Sequence, residues 1–403
     1  MRKLVQKFGG TSVATKENRE LAIGHIADAV AAGFHVVVVV SAMGRKGEPY
    51  ATDTLLSLID STGIAKRERD LLMSCGELIS AVVLSSALAE KGYENCVMTG
   101  AQAGIKTNNV FSDAKIISID PGRILDELDS GKIVIVTGFQ GMTENGDITT
   151  LGRGGSDTTA TALGVALNAE RVDIFTDVDG IMTADPRIVD NAKKLRTVTY
   201  GEICNLAYQG AKVIHPRAVE IAMQKNIPVR VRSTLSKDEG TLIVSQTDLD
   251  RLEPLAVQDR IITGITYTAP VAQVHITCPQ KEKQQLKIFE TLKEQQVSVD
   301  FISVRPEDVT FTVADADRMK VESTLQELGV EYKLLPDCAK VSAVGAGIAG
   351  VPGVMAAIME ALAEESVEVL QSADSHTTIW CLVRADDLVK SVRALHTKFD
   401  LHL

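Results

Sequence analysis

The first 245 or so residues alternate between apolar runs of strand length and stretches with helical spacing. Leu4–Phe8, His35–Ser41, Lys132–Thr137, Val172–Thr176 and Pro228–Arg232 are near-continuous Val/Ile runs, the pattern of strands covered on both faces. Between them Glu17–Ala32, Lys66–Glu90, Ser156–Asn168 and Ala211–Lys225 space their apolar residues for helices. This order predicts an α/β layered domain around a mostly parallel central sheet.

From Ser233 to Asp250 the chain turns polar around one short candidate strand, Thr241–Val244, which places a domain boundary near 245 and a linker over 246–260. Beyond it the elements shorten. Ile262–Thr268, Val271–Thr277, a helix near Glu282–Gln295, Ser298–Val304, Asp308–Val313 and a helix near Asp317–Leu328 form a β-α-β-β-α series. Ala339–Val344 opens a second copy, with helix Pro352–Glu364, strands Val367–Ser372 and Thr377–Arg384, and helix Asp386–His396. Two ferredoxin-like (βαββαβ) modules are expected, over 261–338 and 339–403.

At 403 residues the chain has room for two or three separate cores. Its 42 basic and 53 acidic residues leave a net charge of −11, which argues against nucleic acid or an anionic membrane as the main partner. A polyanionic ligand must then be met by a few focused cations. The six cysteines are scattered, most among apolar neighbours, with no metal-ligand spacing, so buried thiols in a reducing compartment and no protein-built metal site are expected. The N-terminus carries no secretion-signal pattern, and Leu78–Ala89 reads as too short and too polar to span a bilayer. A cytoplasmic protein is expected.

Two glycine-rich loops carry the candidate chemistry. Lys7-Phe8-Gly9-Gly10-Thr11-Ser12 leaves a strand with a lysine at its rim and backbone amides free to meet phosphate, although an ordinary strand-to-helix turn would look similar. Gly152-Arg153-Gly154-Gly155-Ser156-Asp157, after a turn-rich loop over Gly138–Gly146, opens onto an apolar helix. Arg153 there offers a planar fork for a carboxylate. Gly345-Ala346-Gly347-Ile348-Ala349-Gly350 has dinucleotide-fingerprint spacing, but only 53 residues follow it, too few for the second half of a doubly wound sheet. A small-ligand loop in a regulatory module is the better reading. Thr176-Asp177-Val178-Asp179-Gly180 fails as a calcium loop because Phe175 stands at the first ligand position. P-loop, protein-kinase, serine-hydrolase and zincin motifs do not occur.

Taken with Ser41–Gly44, Gly76-Glu77, Thr176–Arg187 and Ala211–Pro216, these loops resemble the motif series of the aspartokinases in the amino acid kinase superfamily. The C-terminal modules resemble their paired ACT domains, and the likeness spans essentially the whole chain. It is strongest to the diaminopimelate-sensitive aspartokinase of bacilli, through Ser41–Thr52 and Gln371–Trp380. The resemblance implies phosphorylation of L-aspartate by ATP with Mg2+, the first step towards diaminopimelate, lysine, threonine and methionine.

It also implies site roles. Lys7, Phe8, Gly9, Gly10, Ser41, Thr176, Asp177, Met182, Arg187 and Lys212 would hold ATP, and Lys7, Asp157 and Lys212 would be catalytic. Thr52, Glu77, Arg153, Gly154, Gly155, Ser156 and Asp157 would hold aspartate, with Arg153 on the α-carboxylate and Glu77 near the α-ammonium. Met182 stands where some relatives place an aromatic beside the adenine, and the register of Thr52 depends on the loop Arg45–Ala51. The ACT modules imply feedback by an end-product amino acid, at unassigned residues, and a homo-oligomer, a dimer through those modules. The alternatives are a sister kinase for another small substrate, or a non-catalytic amino-acid sensor with a retired kinase domain.

Overall fold

The computed structural model describes residues 1–59, 63–211, 213–252, 261–278, 282–346, 348 and 350–403. The chain divides into two compact units: Met1–Ile181, Lys194–Ala207 and Lys212–Val257 form one, and Met182–Lys193, Tyr208–Ala211 and Gln258–Leu403 form the other.

The first unit is built on a sheet of eight strands among the described residues. Their order is Thr197–Thr199, Thr241–Val244, Val229–Ser233, Arg171–Thr176, Lys3–Phe8, His35–Val40, Ile133–Thr137, Asn95–Met98. From Val229–Ser233 to Asn95–Met98 all neighbours are parallel, and Thr241–Val244 is antiparallel to Val229–Ser233. Val36–Val40 is at most 1% exposed, which is why the run carries no polar alternation. Phe8, Val36, Val38 and Val40 pack on one face against Ile23, Ile26, Leu84 and Leu88 from the helices Lys16–Ala31 and Lys66–Glu90. Each such buried side chain contributes about 1.5–3 kcal/mol. Phe8 is level with both Val40 and Phe175, and Val40 with Thr137. The loops starting at Gly9, Ser41, Gly138 and Asp177 therefore leave the sheet side by side at its carboxyl edge, where parallel sheets form their ligand crevices.

Three expectations change here. Helix Lys66–Glu90, taken whole, is long and apolar enough to cross a bilayer, unlike the shorter stretch read from sequence. Met73, Ala81, Leu84 and Leu88 are nevertheless buried within the unit, and the helix buries Asp70 and Glu77 as well, so it serves as a core helix. The expected loop Gly138–Gly146 contains strand Gln140–Met142, which pairs with Ile148–Thr150 in a separate four-stranded sheet. Strands of three residues are too short to show a period. The helix expected over Ala211–Lys225 is observed over Pro216–Met223, with His215 accepting the Arg217 N–H at its start.

The second unit contains a six-stranded antiparallel sheet ordered Asp300–Val304, Asp308–Ala314, Gly264–Thr277, Glu331–Val344, Thr378–Arg384, Gln371–Asp374. Gly264–Thr277 and Glu331–Val344 are each 14 residues long and pair along their length. The expected junction at 338–339 lies inside the second of these. The later module takes its fourth strand from Gly264–Thr268, which pairs with Lys340–Val344. The two modules thus share one sheet over separate cores, one around Val274, Leu292, Phe311 and Leu325, the other around Val341, Ile358, Leu362 and Leu395.

Segment Met182–Lys193, read from sequence as part of the catalytic domain, is counted with this unit. Ala184, Ile188 and Val189 join the cluster of Val341 and Leu395. The Thr183 hydroxyl meets His396 Nε2 at 2.9 Å, and Arg393 Nε donates to the Ile188 carbonyl at 2.8 Å.

Candidate functional site

At the carboxyl edge of the parallel sheet lies a cavity of about 540 Å3. Lys7, Gly10, Ser41, Thr52, Glu77 and the run Arg153–Asp157 all line it. Lys7, Gly10 and Ser41 come from adjacent strands and their loops, Glu77 from helix Lys66–Glu90, and Arg153–Asp157 from the turn and helix start that follow Ile148–Thr150.

Lys7 closes the Lys3–Phe8 strand and Asp157 lies in the first turn of helix Gly155–Ala166. The Lys7 Nζ to Asp157 Oδ1 distance is 2.7 Å, with the side chains 11% and 14% exposed, and that oxygen receives no other donor. An ion pair so shielded fixes the ammonium at the mouth of the glycine loop. Gly10 is required by close approach: a Cβ there would lie 2.7 Å from the carbonyl oxygens of both Ala42 and Gly44. Gly154 caps the helix at φ +65°, and its Cβ would lie 2.2 Å from the Cβ of His215.

Glu77 is 2% exposed, and no ion pair joins it to a cation among the described residues. One carboxylate oxygen accepts the Ala42 N–H at 3.1 Å, and the other is buried without a partner. Burial pushes its pKa up to about 8, opposed by the Ala42 hydrogen bond. A buried carboxylate oxygen facing a cavity is suited to a cationic ligand group such as an ammonium.

The remaining predicted residues are placed differently. Phe8 is fully buried, its ring stacked on Phe175 with centroids 4.6 Å apart, so only its backbone could serve a nucleotide. Gly9 donates to the Phe175 carbonyl at 3.3 Å. Thr176 ends its strand and accepts the Thr234 N–H at 3.0 Å, while Asp177 pairs with Arg45. Met182 and Arg187 fall in the second unit, where Arg187 is largely exposed and pairs with Asp185 at 2.7 Å. Lys212 lies outside the described residues.

The cavity also holds groups that the sequence reading missed, among them Arg69, Met73 and Ser112. Stepping back from Glu77 by four and eight along a helix would have found Met73 and Arg69. Ser112 had no such signal. It is brought in by Asp70, a fully buried carboxylate that accepts the N–H and hydroxyl of Ser112, both at 2.9 Å, and those of Thr150 at 2.7 and 3.0 Å. That clamp joins the Ser112 loop to the strand leading into Gly152 and Arg153.

Comparison with known proteins agrees with this architecture. Residues 2–233 match the model of the amino acid kinase family, and residues 334–397 match that of the ACT domain. Aspartokinase 1 of Bacillus subtilis (strain 168) is 53% identical over 406 residues, covering all of both chains. Among solved structures, E. coli aspartokinase III in complex with aspartate and ADP (R-state) superposes with a TM-score of 0.80 at 25% identity, covering 98% of this chain and 99% of that one. The same enzyme in complex with lysine and aspartate (T-state) gives 0.77 at 25% identity, with the same coverage. By fold, by family match and by full-length identity, the chain belongs to the amino acid kinase family, as one of its aspartokinases.

Proposed function

We infer that this protein is an aspartate kinase, converting ATP and L-aspartate to ADP and 4-phospho-L-aspartate, the step that opens synthesis of diaminopimelate, lysine, threonine and methionine. The observation that carries the reading is the single cavity uniting the shielded Lys7–Asp157 pair with the buried, cation-free Glu77. One end suits a phosphoryl group and the other an ammonium. A retired kinase acting only as a sensor would have no need of both.

The β-carboxylate of aspartate is ionised near neutral pH, so no general base is required. A carboxylate oxygen bonds to the γ-phosphorus as the bond to the β,γ-bridging oxygen breaks, and that electron pair leaves with ADP. The task of the protein is to bring two anions together. In this proposal Lys7 meets the transferring phosphoryl group, and Asp157 holds Lys7 in place instead of accepting a proton. Gly9, Gly10, Ser41, Thr176 and Asp177 border the nucleotide. Thr52, Glu77 and Arg153–Asp157 receive aspartate.

Among the described residues no three carboxylate, histidine or cysteine side chains gather to hold a metal. Phosphate oxygens of ATP would hold most of a Mg2+ arriving with it, and Asp157 in the cavity lining is a carboxylate that could contribute. Such an ion would supply charge neutralisation on the phosphate groups.

The second unit would carry feedback control by lysine, threonine or meso-diaminopimelate. A cavity of about 830 Å3 opens between the start of helix Val354–Glu364 and strand Gln371–Asp374, where Asp374 could meet an effector ammonium. The strands Asp300–Val304 and Gln371–Asp374 end the sheet and leave edges for pairing in a homodimer. All six cysteines are free, which suits a cytoplasmic setting, although only Cys278, Cys338 and Cys381 are buried as expected and Cys75 is exposed.

Trapping the acyl phosphate with hydroxylamine tests the function. Hydroxamate should form only with ATP and L-aspartate together, and should fall with at least one of the three candidate effectors. Hydroxamate from another acceptor but not from aspartate would overturn the assignment.

A further inference from the structure

Arg69 lines the same cavity, and its Nε is buried with no hydrogen-bond partner. A buried guanidinium donor without an acceptor is costly and calls for an explanation, of which an absent ligand is one. Its neighbour Asp70 is held by four hydrogen bonds, so the helix turn bearing Arg69 is fixed. Along the same helix face Met73 and Glu77 follow at four-residue steps and also line the cavity. The backbone rise from 69 to 77 is about 12 Å, and helical side chains lean N-terminally, so it is Glu77 that leans back towards the Arg69 turn.

Charges in the cavity divide in a telling way. Lys7 and Asp157 neutralise each other. Among the described residues Arg69, Arg153 and Glu77 line the cavity without an ion-pair partner. Two guanidiniums and one carboxylate suit a ligand that carries a carboxylate for the former and an ammonium for the latter. The α-carboxylate and α-ammonium of an amino acid share one carbon, so the groups that hold them must be neighbours. Arg69 and Glu77 reach the same cavity from one helix.

We propose that Arg69 is a substrate-binding and specificity-determining residue, its guanidinium holding the α-carboxylate of aspartate together with Arg153 while Glu77 holds the ammonium. This rests on the aspartate kinase reading. A guanidinium fork matches a carboxylate in a way that a lysine or an amide does not. Arg69 thereby selects for a free α-carboxylate.

Full-length wild type, Arg69→Gln and Arg69→Lys are compared by steady-state kinetics and by competition with L-isoasparagine, in which the α-carboxylate is an uncharged amide. Arg69→Gln should raise the KM for aspartate at least tenfold, leave the KM for ATP within twofold and lower kcat by less than threefold, with Arg69→Lys intermediate. The inhibition constant of isoasparagine should be the same in wild type and Arg69→Gln. An unchanged KM for aspartate, equal losses for both substrates, or an equal loss for isoasparagine would each overturn the role. If Arg69→Gln does not fold, the same comparison on Arg69→Lys decides. Wild-type turnover of aspartate is read in the same assay, so failure of the functional reading appears separately as no turnover in any form.

Discussion

The Lys7 ammonium and the Asp157 carboxylate stand 2.7 Å apart although 150 residues separate them in the chain. One ends the first strand of the sheet and the other starts the helix Gly155–Ala166, so the pair forms only when the sheet is complete. Lys7→Ala should lower kcat by on the order of 10²–10³-fold, the usual cost of losing one preorganised charge-stabilising group, with ATP affinity largely kept. Rapid-quench or steady-state kinetics alongside nucleotide binding measure both quantities. An intact kcat would remove Lys7 from the mechanism.

Gly10 tests the geometry of the first loop. A methyl group there would press on the backbone carbonyls of Ala42 and Gly44, and no side-chain rotation relieves backbone contacts. Gly10→Ala should displace the loop by a fraction of an ångström to an ångström and reduce kcat/KM by about 10²-fold, the scale on which catalysis responds to such misplacement. Circular dichroism should remain unchanged. Normal turnover would show that the loop tolerates the shift and does not position a reacting group.

Glu77 predicts a pH signature. Its pKa, about 8 in the folded protein, lies above that of an unfolded glutamate, so between about pH 4.5 and 8 the folded state binds the extra proton. Stability from this group is therefore greatest below the unfolded value and falls as pH rises towards 8. The thermal midpoint of the ligand-free protein should drop across that window, and Glu77→Gln should flatten that part of the drop. Aspartate binding should strengthen with pH over the same range if the ionised form meets the ammonium. Parallel wild-type and Glu77→Gln curves would contradict the assignment.

Asp70 is predicted to act through structure first. Asp70→Ala strands the Ser112 and Thr150 donors in the interior and should cost about 3 kcal/mol or more, as buried groups left unpaired do. Urea unfolding measures it. A loss below about 1 kcal/mol would mean that water replaces the carboxylate.

Control by the second unit should pass through its catalytic-chain segment. Tyr267 donates to Asp185 at 3.1 Å, and Asp185 holds Arg187 at 2.7 and 3.0 Å. Tyr267→Phe should shift the effector concentration for half-inhibition by about two- to tenfold, the range that residues along a coupled network produce. An unmoved inhibition curve would remove this hydroxyl from the route.

Much of the first unit was legible because its strands are buried on both faces and therefore run continuously apolar, as Val36–Val40 does. Helix Lys66–Glu90 was read to the residue because its spacing is regular over 25 positions. Strands such as Gln140–Met142 and Ile105–Thr107 are three residues long and leave no period to read. Arg69 was overlooked for a different reason. Its spacing of eight from Glu77 separates it from Arg67, the other arginine of the helix, but the use of that spacing shows only in the cavity that both residues line.

By itself the sequence determined the α/β class, the two glycine loops, the family and most of the cavity's lining, because strands, turns and motifs are local in the chain. The tertiary structure decided what depends on distant partners. It set the Lys7–Asp157 contact, the Asp70 clamp, the sharing of Gly264–Thr277 by both regulatory modules, and the membership of Met182–Lys193 in the second unit. Those contacts join residues tens to hundreds of positions apart, and the burial and charge that govern them exist only once the chain has folded.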